Sequence, residues 1–294
     1  MPAPDKHATR ASQATLPLLH GVDFTSAPRS RKGITIASGT LDGDTFRLQG
    51  LRTLSDFPAF VAWLDQPGPW LGGFDFPFSL PRELVTLLGW PTDWPSLIRH
   101  YASLTRAELR DTFKAVCDAR PAGSKFLHRA ADLAAGSSSS MKWVNPPVAY
   151  MLHAGAPLLL QANVTIPCMH DGDPQRIAFE AYPGMVARSI TRASYKNDAP
   201  AMQTPERRAA RLDIVKAVER GDYPQQVKLD AGRHRKALLD DGSGDLLDAV
   251  LCALLAAWAW QRRDAHYGLP PHDLLEGWIV GALDNDTGSR HSPG

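Results

Sequence analysis

The sequence has few cysteines and almost no excess of charge of either sign. Three cysteines, Cys117, Cys168 and Cys252, are spread over 294 residues, and an odd number of widely spaced thiols argues against a disulfide framework. We therefore expect reduced cysteines that pack in apolar surroundings of a cytoplasmic protein. The net charge of +1 argues against binding nucleic acid through overall charge, but it leaves room for a local basic surface.

The sequence also lacks an apolar run long enough to cross a membrane. The uninterrupted apolar run over residues 249–260 is shorter than the roughly 20 residues that a membrane-spanning helix needs. It predicts a helix buried on all sides, and the polar start shows no apolar segment of signal-peptide length. We expect polar tails at 1–18 and 284–294, one folded domain at 19–283 and no membrane contact.

The first third of the chain alternates turn signals with apolar runs that are typical of strands. "LLHGVDF", "GITIASG" and "TFRLQGLRTL" predict three strands, the last two joined by an antiparallel turn at Asp42 and Gly43. Ser55 is expected to cap a helix through "DFPAFVAWLDQ", and "PWLGGFDFP" predicts a fourth strand. A connection through a helix places this fourth strand parallel to the first.

The later segments predict mostly helices. Residues 81–157 are interpreted as a helical insertion, with a capping box formed by Thr105 and Glu108. "ANVTIPCM" and "QRIAFEAYP" flank "HDGDP" and predict a hairpin. Helices are expected after Thr204, from Asp245 onward, and over the final "DLLEGWIVGAL".

Two aspartates stand at the head of the apolar helix. Asp245 and Asp248 are three residues apart, so their carboxylates lie on one helix face. Acids at a helix N-terminus complement the helix dipole, which is one explanation of the pair. The other explanation is that these carboxylates meet further acids and bind a metal ion.

Six motifs follow one another in a fixed order. They are "GVDF" at 21–24, "GFDFP" at 73–77, "FEAYP" at 179–183, "YK" at 195–196, "DLLDAVLCA" at 245–253 and "EGWI" at 276–279. Together they resemble the domain of unknown function 429 family, described as predicted nucleases with a ribonuclease H-like fold. The resemblance implies an α/β protein with a mixed five-stranded sheet flanked by helices, besides the helical insertion and the hairpin.

The resemblance also implies a carboxylate cluster. Acids after the first and fourth strands and on the late helix correspond to Asp23, Asp75, Asp245 and Asp248, and Glu180 belongs to a further family motif. Clustered carboxylates repel one another unless a cation compensates them, and hard oxygen ligands suit Mg²⁺ or Mn²⁺.

Two such ions activate water in phosphodiester cleavage. In this hypothesis Asp23 bridges two ions, Asp75 and Asp248 each hold one, and Asp245 or Glu180 completes the arrangement. Lys196 is then expected to steady a phosphate. A simpler interpretation makes Asp75 a turn residue, pairs Glu180 with Arg188 and leaves Lys196 as a surface charge.

A basic segment suggests where a phosphate backbone would bind. Residues 184–236 contain twelve Lys or Arg against six Asp or Glu, so nucleic acid is a candidate partner. Arg207, Arg208 and Arg211 are candidates for backbone contacts. Most such runs are solvated helix faces, which is the alternative.

Other functions stay open at this stage. "VDFTSAPRSRKGITIA" faintly resembles the first phosphate loop of phosphotransferases of the actin and sugar-kinase type, but no convincing second glycine-rich loop follows. A non-catalytic module that binds metal or nucleic acid is a further alternative. Cys168, His170 and Asp173 have the chemistry of a zinc site but lack a second ligand pair. Trp90, Trp94 and Trp143 either stack bases or close a core.

Overall fold

The computed structural model describes residues 16–283, and its strands form one mixed sheet. The strand order is β5-β6-β4-β1-β2-β3-β7. Strands β1, β2 and β3 are antiparallel neighbours, whereas β1-β4, β4-β6, β5-β6 and β3-β7 are parallel pairs. The expected sheet of five strands is wrong, because the described residues form seven. The strands are β1 (Leu18–Asp23), β2 (Ile34–Asp42), β3 (Thr45–Leu54), β4 (Trp70–Asp75), β5 (Val164–Thr165), β6 (Asp173–Glu180) and β7 (Lys228–Asp230).

Helices cover both faces of this sheet. Helices α1 to α4 and α6 contribute to an apolar core on one face, and α7 to α10 contribute to a second core on the other. This arrangement is a mixed α/β fold. The helices are α1 (Phe57–Leu64), α2 (Arg82–Leu87), α3 (Trp94–Ser103), α4 (Arg106–Asp118), α5 (Ala130–Ala135), α6 (Val148–Gln161), α7 (Pro183–Ile190), α8 (Pro205–Arg220), α9 (Arg235–Asp240) and α10 (Asp245–Gln261).

The order predicted for the first third of the chain is confirmed. Three antiparallel strands, a helix and a strand parallel to β1 follow in sequence. The cap of α1 differs from the prediction, because Asp56 rather than Ser55 accepts a hydrogen bond from the backbone of Ala59 at 2.8 Å. The predicted tails lie outside the described residues apart from 16–18, and Leu18 already belongs to β1.

The segment between β4 and β5 is helical, as its composition predicts. Thr105 and Glu108 form the predicted capping box of α4. The expected end near 157 is too early, because α6 continues through Pro157 to Gln161. A proline removes only one backbone donor, and the packing of the helix compensates for that loss here.

The predicted hairpin is wrong, because β5 and β6 run parallel to each other. The chain reverses once between Ile166 and His170, whose backbones exchange two hydrogen bonds of 2.9 Å. It then reverses again before β6, where the amide of Asp173 bonds to Asn163 at 2.7 Å. Because two successive reversals restore the original chain direction, β6 runs parallel to β5. The sequence was interpreted as containing a single turn at this point, and a single turn predicts a hairpin.

Two other elements differ from their prediction. Strand β7 was not predicted, because three residues are too short to show an alternating pattern. The expected terminal helix is absent from residues 273–283 of the described chain. Gly277 and Gly281 have φ of +72° and +79°, a left-handed conformation that ends a helix. Ile279 instead pairs with Glu180 as an isolated parallel bridge.

Helix α10 is the buried helix that its apolar run predicts. Every residue from Leu247 to Ala259 is buried. No helix among residues 16–283 is long and apolar enough to span a membrane. Cys117 and Cys252 are buried as expected, but Cys168 is exposed, because it occupies the turn before β6 with a φ of +68°.

Helix α10 contacts the sheet backbone directly at two glycines. A Cβ atom on Gly21 would lie 2.0 Å from the carbonyl oxygen of Ala249, and one on Gly73 would lie 2.4 Å from that of Cys252. Gly21 and Gly73 are also paired neighbours in β1 and β4. The absence of side chains at these two positions allows the helix to lie this close to the sheet.

Replacing Gly21 by alanine is expected to destabilise the protein by about 3 kcal/mol, because the added methyl overpacks a backbone contact. Gly50→Ala is the matched control, since a Cβ there meets no atom within 4 Å. Urea unfolding of the two variants measures the difference. Equal stability of Gly21→Ala and Gly50→Ala contradicts the close-approach argument.

A second prediction concerns His20, which is buried in β1. Its ring bonds to the Ser38 hydroxyl at 2.8 Å and meets the Trp63 ring edge-on, with the centroids 5.0 Å apart. Burial lowers the pKa of His20 to about 4. As the pH falls below the ordinary histidine pKa of 6.5, His20 is therefore protonated in the unfolded chain before it is protonated in the folded protein.

The free energy of unfolding is expected to fall by about 2 kcal/mol between pH 7 and pH 5 through His20 alone. His20→Gln should lose this part of the pH dependence, whereas His128→Gln, at an exposed position, should keep it. Urea midpoints across this pH range test the assignment. An unchanged slope in His20→Gln is the contrary result.

Candidate functional site

Asp23 and Asp75 occupy equivalent positions on neighbouring strands. Each is the last residue of its strand, and they are paired in the parallel register of β1 and β4. Adjacent strands lie about 4.8 Å apart, and each aspartate follows its close-packing glycine by two residues. Because alternate residues of a strand share a face, both carboxyl groups point toward the α10 side of the sheet.

Asp245 and Asp248 approach the same edge from the first turn of α10. The helix begins after Gly244, whose φ is +80°. Asp248 is fully buried, and its charge, like that of Asp245 and Asp75, interacts with Asp23. The structure therefore brings the four predicted aspartates together.

Lysines neutralise both aspartates of α10. Lys196 forms an ion pair with Asp248, whose other carboxylate oxygen accepts a 2.6 Å hydrogen bond from the Tyr195 hydroxyl. Lys32, in the loop after β1, donates to Asp245 at 2.8 Å and to Asp198 at 2.6 Å. Lys196 therefore contributes charge to the site, which argues against the simpler view of it as a solvated surface residue.

Nearby positive charges do not fully compensate the negative charges of Asp23 and Asp75 at the strand ends. Burial and the charges of Asp248, Asp245 and Asp75 raise the pKa of Asp23 well above its usual range, although Lys196 opposes this. Burial likewise raises the pKa of Asp75 to about 7. Burial alone would lower the pKa of Lys196, but Asp248, Tyr195 and Asp23 raise it above its ordinary value.

The donor chemistry suits a hard cation, but the side chains are not arranged as a ready metal site. Carboxylate oxygens are the ligands that Mg²⁺ and Mn²⁺ prefer. Yet within residues 16–283 no three His, Cys, Asp or Glu side chains converge closely enough to bind one metal ion. This holds for Asp23, Asp75 and Asp248, and equally for the alternative at Cys168 and His170.

Glu180 lies at the same cavity but is bound to an arginine. It ends β6, and both of its oxygens accept hydrogen bonds from the Arg129 guanidinium, at 2.5 and 2.7 Å. Arg129 also pairs with Asp132 at 2.7 Å, and the Phe78 amide donates to Glu180 at 2.9 Å. Burial raises the pKa of Glu180, and Arg129 opposes that shift. Arg188, the expected partner, instead bonds to Tyr182.

Glu276 of the "EGWI" motif supports this ion-pair network. Its carboxylate accepts hydrogen bonds from the backbones of Arg82 at 2.8 Å and Ala130 at 3.2 Å. These are the first residues of α2 and α5, so Glu276 fixes both helices beside the cavity. Glu276 itself lies outside any helix, because residues 273–283 do not form the expected terminal helix.

The site residues surround one cavity of about 480 Å³. We call this the acidic cavity. Its floor contains Asp23 and Asp75 at the strand ends, and its opposite wall contains Pro146, Pro147 and Met151 from the helical segment. Asp248 lies beneath the floor and does not line it.

The arginines of α8 do not line the acidic cavity. Arg211 is buried and donates to the carbonyl oxygens of Leu239 and Tyr195. Arg208 pairs with Asp240 at 2.9 Å, and Arg207 binds the Met202 carbonyl. The predicted row of phosphate contacts is therefore wrong for Arg211, which stabilises the loop that carries Lys196.

The tryptophans proposed for base stacking pack in the core. Trp94 is buried and donates to the Phe78 carbonyl at 2.8 Å, while Trp90 and Trp143 pack against the same apolar cluster. None of the three lines the acidic cavity. These tryptophans therefore close a core, which was the alternative to base stacking.

Sequence reasoning missed four residues around the acidic cavity. Asp132 stands three residues after Arg129, a spacing typical of a helix start, but nothing in the sequence links this pair to Glu180. Tyr195 lies within the family motif, and Lys32 lies in a loop without a recognisable pattern. The pairs Lys32–Asp245, Arg129–Glu180 and Tyr195–Asp248 join residues that are distant in the chain, and only the folded structure brings them together. The four residues are Lys32, Arg129, Asp132 and Tyr195.

Fold and site together define a mixed α/β protein with a carboxylate-rich cavity at the ends of its central strands. The chain belongs to the family described as Protein of unknown function (DUF429), whose model matches residues 21–274. Comparisons with the curated proteins and with the solved structures gave no match. The match covers all of the described residues that form the acidic cavity except Ile279.

Replacing Arg129 by methionine is expected to cost about 4 kcal/mol, because it leaves Glu180 and Asp132 as unpaired buried charges. Arg47→Met is the control, since its pair with Asp42 is largely exposed and should contribute less than about 1 kcal/mol. Denaturant unfolding at neutral pH measures both values. Similar losses in the two variants contradict a structural role for the buried network.

Proposed function

We propose that this protein is a metal-dependent hydrolase of phosphodiester bonds with a ribonuclease H-like fold. The observation that carries the proposal is that Asp23 and Asp75 line one cavity without sufficient countercharge, while the charge of Asp248, which lies beneath the cavity floor, acts on both. A divalent cation is the compensation that such a cluster requires. The parallel pairing of β1 with β4, which places Asp23 beside Asp75, supports this function.

In this proposal Asp23, Asp75 and Asp248 hold Mg²⁺ or Mn²⁺, and Asp245 lies beside them. A divalent cation held there would supply Lewis acidity for activating water and stabilising the leaving oxygen. Asp248 would become a ligand only by giving up its contact with Lys196, because both of its carboxylate oxygens are engaged. Tyr195, which donates its hydroxyl proton to Asp248, then orients that carboxylate.

The lysines supply the charge that a phosphate needs. Lys32 and Lys196 both line the acidic cavity, and their side chains are 31% and 43% exposed. Each ammonium group is bound to an aspartate of α10. When a cation compensates these aspartates, the lysines become available to a phosphate and to the charge that develops on it.

We assign Glu180 a positioning role rather than a ligand role. Both of its oxygens already accept charged hydrogen bonds from Arg129. The pair connects the end of β6 to the start of α5, and thus joins the sheet to the helical segment that forms the cavity wall. Glu180 therefore maintains the shape of the cavity.

Asp248→Asn is expected to reduce Mn²⁺-dependent and Mg²⁺-dependent cleavage by at least about 100-fold. Loss of a residue that only supports a metal ligand costs up to about 100-fold in activity, and loss of a ligand itself is expected to cost more. The panel contains bis(p-nitrophenyl) phosphate and single-stranded, duplex, branched and RNA substrates. Asp213→Asn is the matched control, since this aspartate is exposed on α8. It should leave cleavage unchanged.

Calorimetric titration with Mn²⁺ provides a readout independent of activity. Undiminished Mn²⁺ binding in an Asp23→Asn, Asp248→Asn double variant contradicts the shared site. Metal binding without cleavage of any substrate favours the non-catalytic binding module. Thermal stabilisation by ATP with Mg²⁺ and no phosphodiester cleavage favours the phosphotransferase.

A further inference from the structure

We infer that the substrate is a small phosphodiester carrying an aromatic group, of dinucleotide size, and that duplex nucleic acid does not reach the carboxylates. This inference rests on the proposed function and narrows its substrate class. It follows from three properties of the acidic cavity: its size and depth, the fixed position of its wall, and the chemistry of its lining.

The carboxylates lie deep relative to the size of the cavity. Asp23, which lines the cavity, is only 8% exposed, so a scissile phosphate must enter the cavity to approach it. Its volume of about 480 Å³ falls in the range of roughly 300–1,000 Å³ that is typical of small-molecule sites. Double-stranded nucleic acid is much wider than such a cavity, so its backbone phosphates cannot enter the cavity.

The wall that limits the cavity is fixed by buried and short polar contacts. Arg129 joins the helical segment to the sheet through Glu180 at 2.5 Å, with the arginine only 1% exposed. Arg106, at the start of α4, donates to the Ser26 carbonyl in the loop after β1 at 2.6 Å. Contacts on both sides hold the helical segment over the strand ends.

The lining separates a charged end from an apolar side. Lys32 and Lys196 lie at the aspartates, where they suit one phosphate. Pro147, Val148 and Met151 line the cavity elsewhere and are at least partly exposed, so they offer the apolar surface on which an aromatic group or a nucleobase packs. A small phosphodiester with one aromatic substituent satisfies both parts.

The charge of the lining disfavours a long polyanion. Six carboxyl groups line the acidic cavity against three cations, and Arg129 is already committed to Glu180 and Asp132. Cations held by Asp23 and Asp75 would compensate charge around one phosphate only. A strand with further phosphates in the cavity would meet uncompensated carboxylates.

Met151→Trp tests the cavity because it fills the apolar side without touching a carboxylate. We expect KM for a dinucleotide and for bis(p-nitrophenyl) phosphate to rise at least about tenfold, with Mn²⁺ binding unchanged by calorimetry. Met202→Trp is the matched control, because Met202 is 50% exposed and does not line the cavity. Its KM should equal that of the wild type.

The wild type should hydrolyse both small substrates and leave duplex and circular single-stranded DNA intact. Cleavage of either DNA with a kcat/KM similar to that of the dinucleotide overturns this inference and leaves the proposed function standing. An unchanged KM in Met151→Trp likewise overturns it, since the substrate then binds elsewhere. No hydrolysis of any substrate by the wild type, with Mn²⁺ bound, overturns both proposals.

Discussion

The contact of α10 with the backbones of β1 and β4 determines where the acids of this protein meet. Gly21 and Gly73 leave no side chain between the helix and the sheet, and each stands two residues before an aspartate of its strand. The same approach brings the first turn of α10 to the strand ends, so Asp248 lies under Asp23 and Asp75. One steric condition thus connects three of the sequence motifs: the two strand motifs and the helix motif.

The charges assembled by this packing are balanced unequally. Glu180 has a dedicated buried arginine, whereas Asp245 and Asp248 depend on lysines from loops. Asp23 and Asp75 have no comparable partner among the described residues, and burial raises the pKa of both. The network around Glu180 is therefore complete in itself. The strand-end pair of Asp23 and Asp75 is the part of the site that lacks a comparable countercharge.

The elements that sequence reasoning predicted are those with local signals. Alternating strands, the capping box of α4 and the apolar run of α10 follow from neighbouring residues, and the motifs of the family located the four aspartates. The parallel course of β5 and β6 was missed because it depends on two turns within eight residues. The pairing of Glu180 with Arg129 joins residues 51 positions apart, and no periodicity encodes such a contact. Arg211 was assigned to the surface because its burial depends on α9 and on the loop of Tyr195.

A purely structural role accounts for Glu180 but not for Asp23 and Asp75. A carboxyl group that stabilises a fold has hydrogen-bond donors or a countercharge that favour its ionised form, as Arg129 and the Phe78 amide do for Glu180. Asp23 and Asp75 accept no such hydrogen bond among residues 16–283. Burial raises the pKa of both, as it does that of Glu180, so that their ionisation opposes folding as the pH rises above the usual range of a carboxyl group. Uncharged residues would fill the same space at lower cost. In the proposed function, a divalent cation at the acidic cavity is the ligand that would compensate carboxylates which otherwise destabilise the fold.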